Sequence, residues 1–161
     1  MADLAKLSEE ELLRCCGSQA WARKMMAAKP YKDGLAAAAE KAWHSLSHED
    51  WLEAFSHHPK IGEKDMLREK FAATRQWAQF EQAGVGSAND HILEALAAGN
   101  AEYEKKFGYI FIVCATGKSA TEMLAIIQDR LRNDRQSEIV IAAEEQLKIT
   151  LLRLDKWMKG P

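Results

Sequence analysis

Apolar residues recur at helical spacing along most of the chain, and short clusters of serine, glycine or proline interrupt them. Ser8 with Glu11 forms a capping-box pattern that opens a helix to about Cys16, where Gly17 stops it. Ser18 opens a second helix, carrying Trp21, Met25 and Met26, which ends before Pro30. Residues 34–44 are alanine-rich and helix-prone. Ser47 caps a helix over 48–55, with Trp51, Leu52 and Phe55 on one apolar stripe. Pro59 and Gly62 make 56–62 a loop, and 63–82 is helical in composition until Gly84 and Gly86 end it. Ser87 or Asn89 opens a helix to about Phe107, interrupted at Gly99-Asn100. A second capping box, Ser119 with Glu122, opens a helix to Arg132. Ser137 caps the last and longest helix, from Glu138 to about Met158, whose inward stripe is Ile139, Ala142, Ala143, Gln146, Ile149 and Arg153. The pattern predicts an all-α fold: a single-domain helical bundle of about eight helices over residues 1–161.

One segment breaks the pattern. Residues 107–115 are aromatic and β-branched, so propensity makes them a strand. No second strand pattern exists to pair with it, and a lone strand leaves main-chain groups unsatisfied. The segment either pairs across a dimer or is a buried extended stretch whose amides and carbonyls meet something else, such as a ligand.

The 161 residues include 22 basic and 24 acidic side chains, a net charge of −2. That balance demotes general nucleic-acid binding, which draws on a basic excess. No apolar run approaches the roughly 20 residues that span a bilayer. The N-terminus has no signal-peptide core, and the C-terminus has no lipidation or peroxisomal tripeptide, so the expected compartment is the cytoplasm. Cys15, Cys16 and Cys114 have no disulfide or zinc spacing. They read as packing or surface residues, with a nucleophilic Cys114 as the alternative.

Thr116-Gly117-Lys118-Ser119 lacks the upstream glycine of a phosphate loop, since Ile112 stands there, so it reads as a helix-capping turn. Four histidines lie between 44 and 58, and His44 and His48 are four apart. The helix start at Ser47 falls between them and no carboxylate pattern completes a site, so no metal is expected. His58 is distinct, being fixed in a short loop by Pro59. An imidazole there can exchange protons near neutral pH, or simply hydrogen-bond. Glu81 sits near a helix C-terminus, where the dipole disfavours a carboxylate.

Four stretches in order resemble the 2-oxo-4-hydroxy-4-carboxy-5-ureidoimidazoline (OHCU) decarboxylase family of urate breakdown. They are His58-Pro59-Lys60-Ile61-Gly62, residues 77–85 (Trp-Ala-Gln-Phe-Glu-Gln-Ala-Gly-Val), residues 107–113 with Gly117-Lys118-Ser119, and Arg130 through Asn133. The resemblance spans nearly the whole chain. It implies one all-helical domain, a homodimer, no metal and no organic cofactor, and conversion of OHCU to (S)-allantoin as the last step of urate degradation.

By the resemblance, His58 is the catalytic histidine and Glu81 the acidic partner that holds the ureido N–H groups. Pro59, Ala78, Gln79, Phe80 and Gln82 belong to the substrate-binding motifs. Phe111, Ile112, Val113, Cys114 and Ala115 line the pocket with their main chain. Ala78 departs from the family, which has serine there; one lost hydrogen bond costs about 0.5–1.5 kcal/mol. Arg153, on the inward stripe, either meets an anionic group of the substrate or forms a surface salt bridge. Two other readings compete with the decarboxylase. One is a helical interaction module, which would show an open groove lined by Trp43, Trp51 and Trp77. The other is a helical metal hydrolase.

Overall fold

The computed structural model describes residues 3–58 and 86–160. Among these residues the regular structure is helical, with no strand. A 3-10 turn, Leu4–Lys6, precedes α1 (Glu9–Cys15), α2 (Gln19–Ala27), α3 (Leu35–His44) and α4 (His48–Ser56). The chain continues with α5 (Gly86–Phe107), α6 (Ala120–Arg130) and α7 (Arg135–Lys159). These elements fall into two compact units. The first takes α1 to α4, Ile112–Cys114 and α7 from Ile139 onward; the second takes α5, α6, the rest of the connection between them and α7 up to Glu138.

In the first unit, α1 packs on α2, and α2 packs on α3 and α4. The caps follow the serines. Ser8, Ser18 and Ser47 each accept a hydrogen bond from the main-chain N–H three residues on, and Asp50 completes a capping box with Ser47. Glu53 of α4 adds to the start of α2 by accepting from the Gln19 N–H at 2.9 Å. Trp21, Trp43, Phe55, Leu12 and Met25 are fully buried. Their indoles are satisfied: Trp21 donates to the Ala39 carbonyl at 3.2 Å and Trp43 to the Ala143 carbonyl of α7 at 2.9 Å. The apolar stripe of α4 differs from expectation. Ala54 and Phe55 face inward, whereas Leu52 is 39% exposed.

In the second unit, α5 and α6 pack together and α5 runs unbroken through Gly99-Asn100. Gly99 serves packing rather than interruption: a Cβ there would lie 3.2 Å from Ile127 Cγ2 of α6. Ser87 and Asn89 lie within α5, not ahead of it. Ser119 caps α6, which ends at Arg130. The last helix starts earlier than Ser137, because Asp134 is the residue whose side chain accepts from the Ser137 N–H, at 2.7 Å. A buried polar cluster joins these elements. Arg130 donates through Nε to Glu138 at 2.8 Å, Asn133 donates to the other Glu138 oxygen at 3.0 Å, and the Tyr103 hydroxyl donates to Glu138 as well. The Arg130 guanidinium lies 4.6 Å from the centroid of the Phe111 ring.

Residues 107–115, a strand by propensity, are divided between the end of α5 at Phe107 and an irregular stretch. Residues 110–115 belong to neither helix nor strand, with Ile112 and Cys114 buried. Gly117, at φ 76°, makes the turn that leads into the Ser119 cap.

Candidate active site

His58 follows the last turn of α4, and its N–H bonds back to the Phe55 carbonyl at 3.3 Å. Phe55 is a core residue, so the end of α4 is fixed by packing. The half-buried His58 ring reaches α7, where Nε2 bonds to the side-chain oxygen of Gln146. Gln146 is fully buried, and its amide nitrogen donates to the Thr150 hydroxyl one turn further on, at 3.1 Å.

Burial holds the His58 pKa below the ordinary histidine value. The hydrogen bond to Gln146 offsets part of this, and the positive Arg153 and neighbouring His57 oppose protonation further. The resting ring at neutral pH is the uncharged imidazole, with a lone pair able to take a proton. Burial also pushes the Cys16 thiol up to about 11 and raises that of Cys15, so neither is a thiolate nucleophile.

Arg153 lies on the same helix as Gln146, two turns further along. Its Nη1 donates to the Cys15 carbonyl at 3.1 Å, which holds the guanidinium near the end of α1 while leaving the residue exposed. Among the described residues this is an arginine with a helix-end carbonyl partner, not a surface ion pair. Ile112, Val113 and Cys114 belong to the same unit as His58 and Arg153; Phe111 and Ala115 belong to the other. The Cys114 amide has a protein partner, donating to Glu145 Oε1 at 3.0 Å. Two successive residues of α7 thus serve two expected site segments, Glu145 the 112–114 stretch and Gln146 the histidine. Pro59, Ala78, Gln79, Phe80, Glu81 and Gln82 lie outside the described residues.

Gln146 was legible only as one position of an inward stripe. A glutamine amid alanine and isoleucine on that stripe is the signal that could have singled it out, since a buried amide needs partners. Thr150, one turn on, carried no separate signal. The other tryptophan reading is corrected: Trp43 is buried and its N–H is used, so it lines no open groove. Trp51 stacks on Trp43 and donates to the Trp43 carbonyl at 3.0 Å, while Trp77 lies outside the described residues. His44 pairs with Glu144 at 2.8 Å and His48 stacks on Trp51. No group of three or more metal-ligating side chains gathers among the described residues.

A family profile described as OHCU decarboxylase matches residues 5–155. The chain belongs to the OHCU decarboxylase family. Among its relatives is the uric acid degradation bifunctional protein TTL of Arabidopsis thaliana, 35% identical over 94% of this chain and 47% of that protein. Another is the 2-oxo-4-hydroxy-4-carboxy-5-ureidoimidazoline decarboxylase of Amia calva, 31% identical over 65% of this chain and 59% of that one. The chain thus spans about half the length of these curated relatives. A crystal structure of OHCU decarboxylase in the presence of (S)-allantoin is 35% identical, with a TM-score of 0.73 over 95% of this chain and 99% of that one. A crystal structure of (S)-allantoin synthase, 19% identical at a TM-score of 0.67, shares the fold.

Proposed function

We propose that this OHCU decarboxylase family member converts OHCU to (S)-allantoin without a cofactor. The observation that carries the proposal is His58, drawn from water, kept neutral and tied to a fully buried glutamine. A neutral imidazole held in one orientation can take a proton from a bound substrate and return it near neutral pH.

In OHCU the carbon bearing the carboxylate neighbours a ring C=N bond. As the bond to CO2 breaks, its electron pair moves towards that C=N unit, whose nitrogen takes up a proton. The hydroxyl on the same carbon then loses its proton and becomes the ring carbonyl, while the neighbouring carbon bearing the ureido group gains one. The substrate therefore contains its own electron sink, and the protein supplies orientation, charge stabilisation and a proton delivered to one face. His58 is the proton acceptor and donor. Glu81 holds the ureido N–H groups and fixes the face. Pro59, Ala78, Gln79, Phe80 and Gln82 complete the binding motif, and the main chain of Phe111 to Ala115 grips the ring. The Cys114 N–H of that stretch donates to Glu145 Oε1 rather than to the ring. Arg153, whose positive charge already acts on His58, meets the substrate carboxylate.

The whole of residues 1–161 is read as one catalytic domain, because the family match runs through both compact units. The proposed assembly is a homodimer. Val140, Ile141 and Leu152, exposed on one side of α7, are candidates for its contact. The proposed compartment is the cytoplasm, which suits three free, buried cysteines. No helix among the described residues is long and apolar enough to cross a membrane.

The test uses OHCU made in place from urate by a urate oxidase and a hydroxyisourate hydrolase. Loss of OHCU should accelerate in proportion to added protein. Decay at the spontaneous rate over a wide range of protein concentration would refute the assignment.

A further inference from the structure

The hydrogen bonds that end at His58 have a direction. Gln146, fully buried on α7, donates through its amide nitrogen to the Thr150 hydroxyl at 3.1 Å. That fixes the Gln146 amide with its nitrogen towards Thr150 and its oxygen towards His58. An amide oxygen only accepts, so the ring nitrogen facing it must carry a hydrogen. Nε2 is therefore N–H and the lone pair of the neutral ring sits on Nδ1.

We propose that Gln146, held by Thr150, is the positioning residue of His58 and that Nδ1 is the nitrogen that exchanges protons with the substrate. The second half rests on the decarboxylase reading; the first half does not. Gln146 acts through His58 and touches no reacting atom. Gln146 and Thr150 both lie on α7, so the histidine is braced by an element other than its own. Among the described residues, the charged and titratable groups acting on His58 are Arg153 from α7 and His57 beside it in the chain. Neither accepts a hydrogen bond when charged, so neither replaces Gln146 as a partner for the Nε2 hydrogen.

The experiment combines nitrogen-15 NMR of the His58 ring with steady-state kinetics on wild type, Gln146→Leu, Gln146→Glu and Thr150→Val. In the wild type at pH 7.5 or so, the ring should show a protonated Nε2 and an unprotonated Nδ1. Gln146→Leu should lower kcat by about 10- to 100-fold with KM within about twofold, since misplacing a catalytic group affects turnover more than binding. It should also move the acid limb of the kcat profile to lower pH, because the bond to Gln146 favours the charged ring. Gln146→Glu keeps an acceptor, so it should recover most of the kcat and move the same limb to higher pH. Thr150→Val tests the chain one bond further out and keeps the inference open to refutation should Gln146→Leu fail to fold. It should blur the ring into a mixture of the two tautomers. A wild-type ring protonated at Nδ1, or Gln146→Leu with unchanged kcat, overturns the inference while leaving the decarboxylase reading intact. An inactive wild type with Nε2 protonated overturns the catalytic half and the function together, and leaves the positioning role standing.

Discussion

Gly17 carries no side chain at the point where His57 comes closest. A Cβ there would lie 2.5 Å from His57 Cγ and 2.6 Å from its Cβ. Those atoms are close to the backbone and cannot swing away, so Gly17→Ala should push the end of α4 outward and carry His58 with it. The expected loss is about 1–3 kcal/mol of stability, measured by denaturant unfolding, together with a fall in turnover. From sequence, Gly17 reads as a helix stop; its closeness to His57 needs the tertiary structure. The residue scale also fixes the pH response. The folded protein binds the His58 proton less readily than the unfolded chain, whose histidine titrates near 6.5. This contribution to stability is full above about pH 6.5 and is lost as pH falls through the lower folded value. The acid limb of kcat should lie below pH 6.5 for the same reason, and a pH-rate profile checks it. A limb at or above 6.5 would show that burial does not control the group.

At the scale of elements, local rules succeed where one residue sets the geometry. Ser8, Ser18, Ser47 and Ser119 cap the helices that their sequence context assigns to them. They fail where two candidates compete or a partner intervenes. Asp134 pre-empts Ser137 as the cap of α7, and Gly99, locally a helix breaker, is held within α5 by its closeness to Ile127 of α6. The junction of α5, α6 and the first turn of α7 makes its own prediction. Arg130 and Glu138 are both buried there, with Tyr103 and Asn133 completing the carboxylate's partners. Removing one charge leaves the other uncompensated, so Glu138→Gln should destabilise by about 3–5 kcal/mol. Replacing the pair by Arg130→Met with Glu138→Leu should cost less than that single change. A double-mutant cycle on denaturation midpoints measures both, and equal losses would contradict the ion-pair account.

At the scale of the whole molecule, the all-helical class is legible because helical periodicity and caps repeat along the chain. The irregular 110–115 stretch is legible because a strand pattern without a partner has few other outcomes. His58 stands out in the sequence because a proline follows it, but its bond to Gln146 is tertiary. Gln146 and Thr150 are not legible, because their role depends on bringing α7 against a residue 88 positions before Gln146, and no local pattern encodes that. Arg153 lies between these cases: its place on α7 is periodic, but its bond to the Cys15 carbonyl is tertiary. The central claim is that this assembly accelerates decarboxylation and gives the product one hand. The measurement that reaches it most directly is the circular dichroism of allantoin formed from in situ OHCU, with wild type, with His58→Asn and with no protein added. The account predicts rapid appearance of a single enantiomer with wild type, and a slow racemic product in the other two. A racemic product with wild type, or full chirality with His58→Asn, would contradict it.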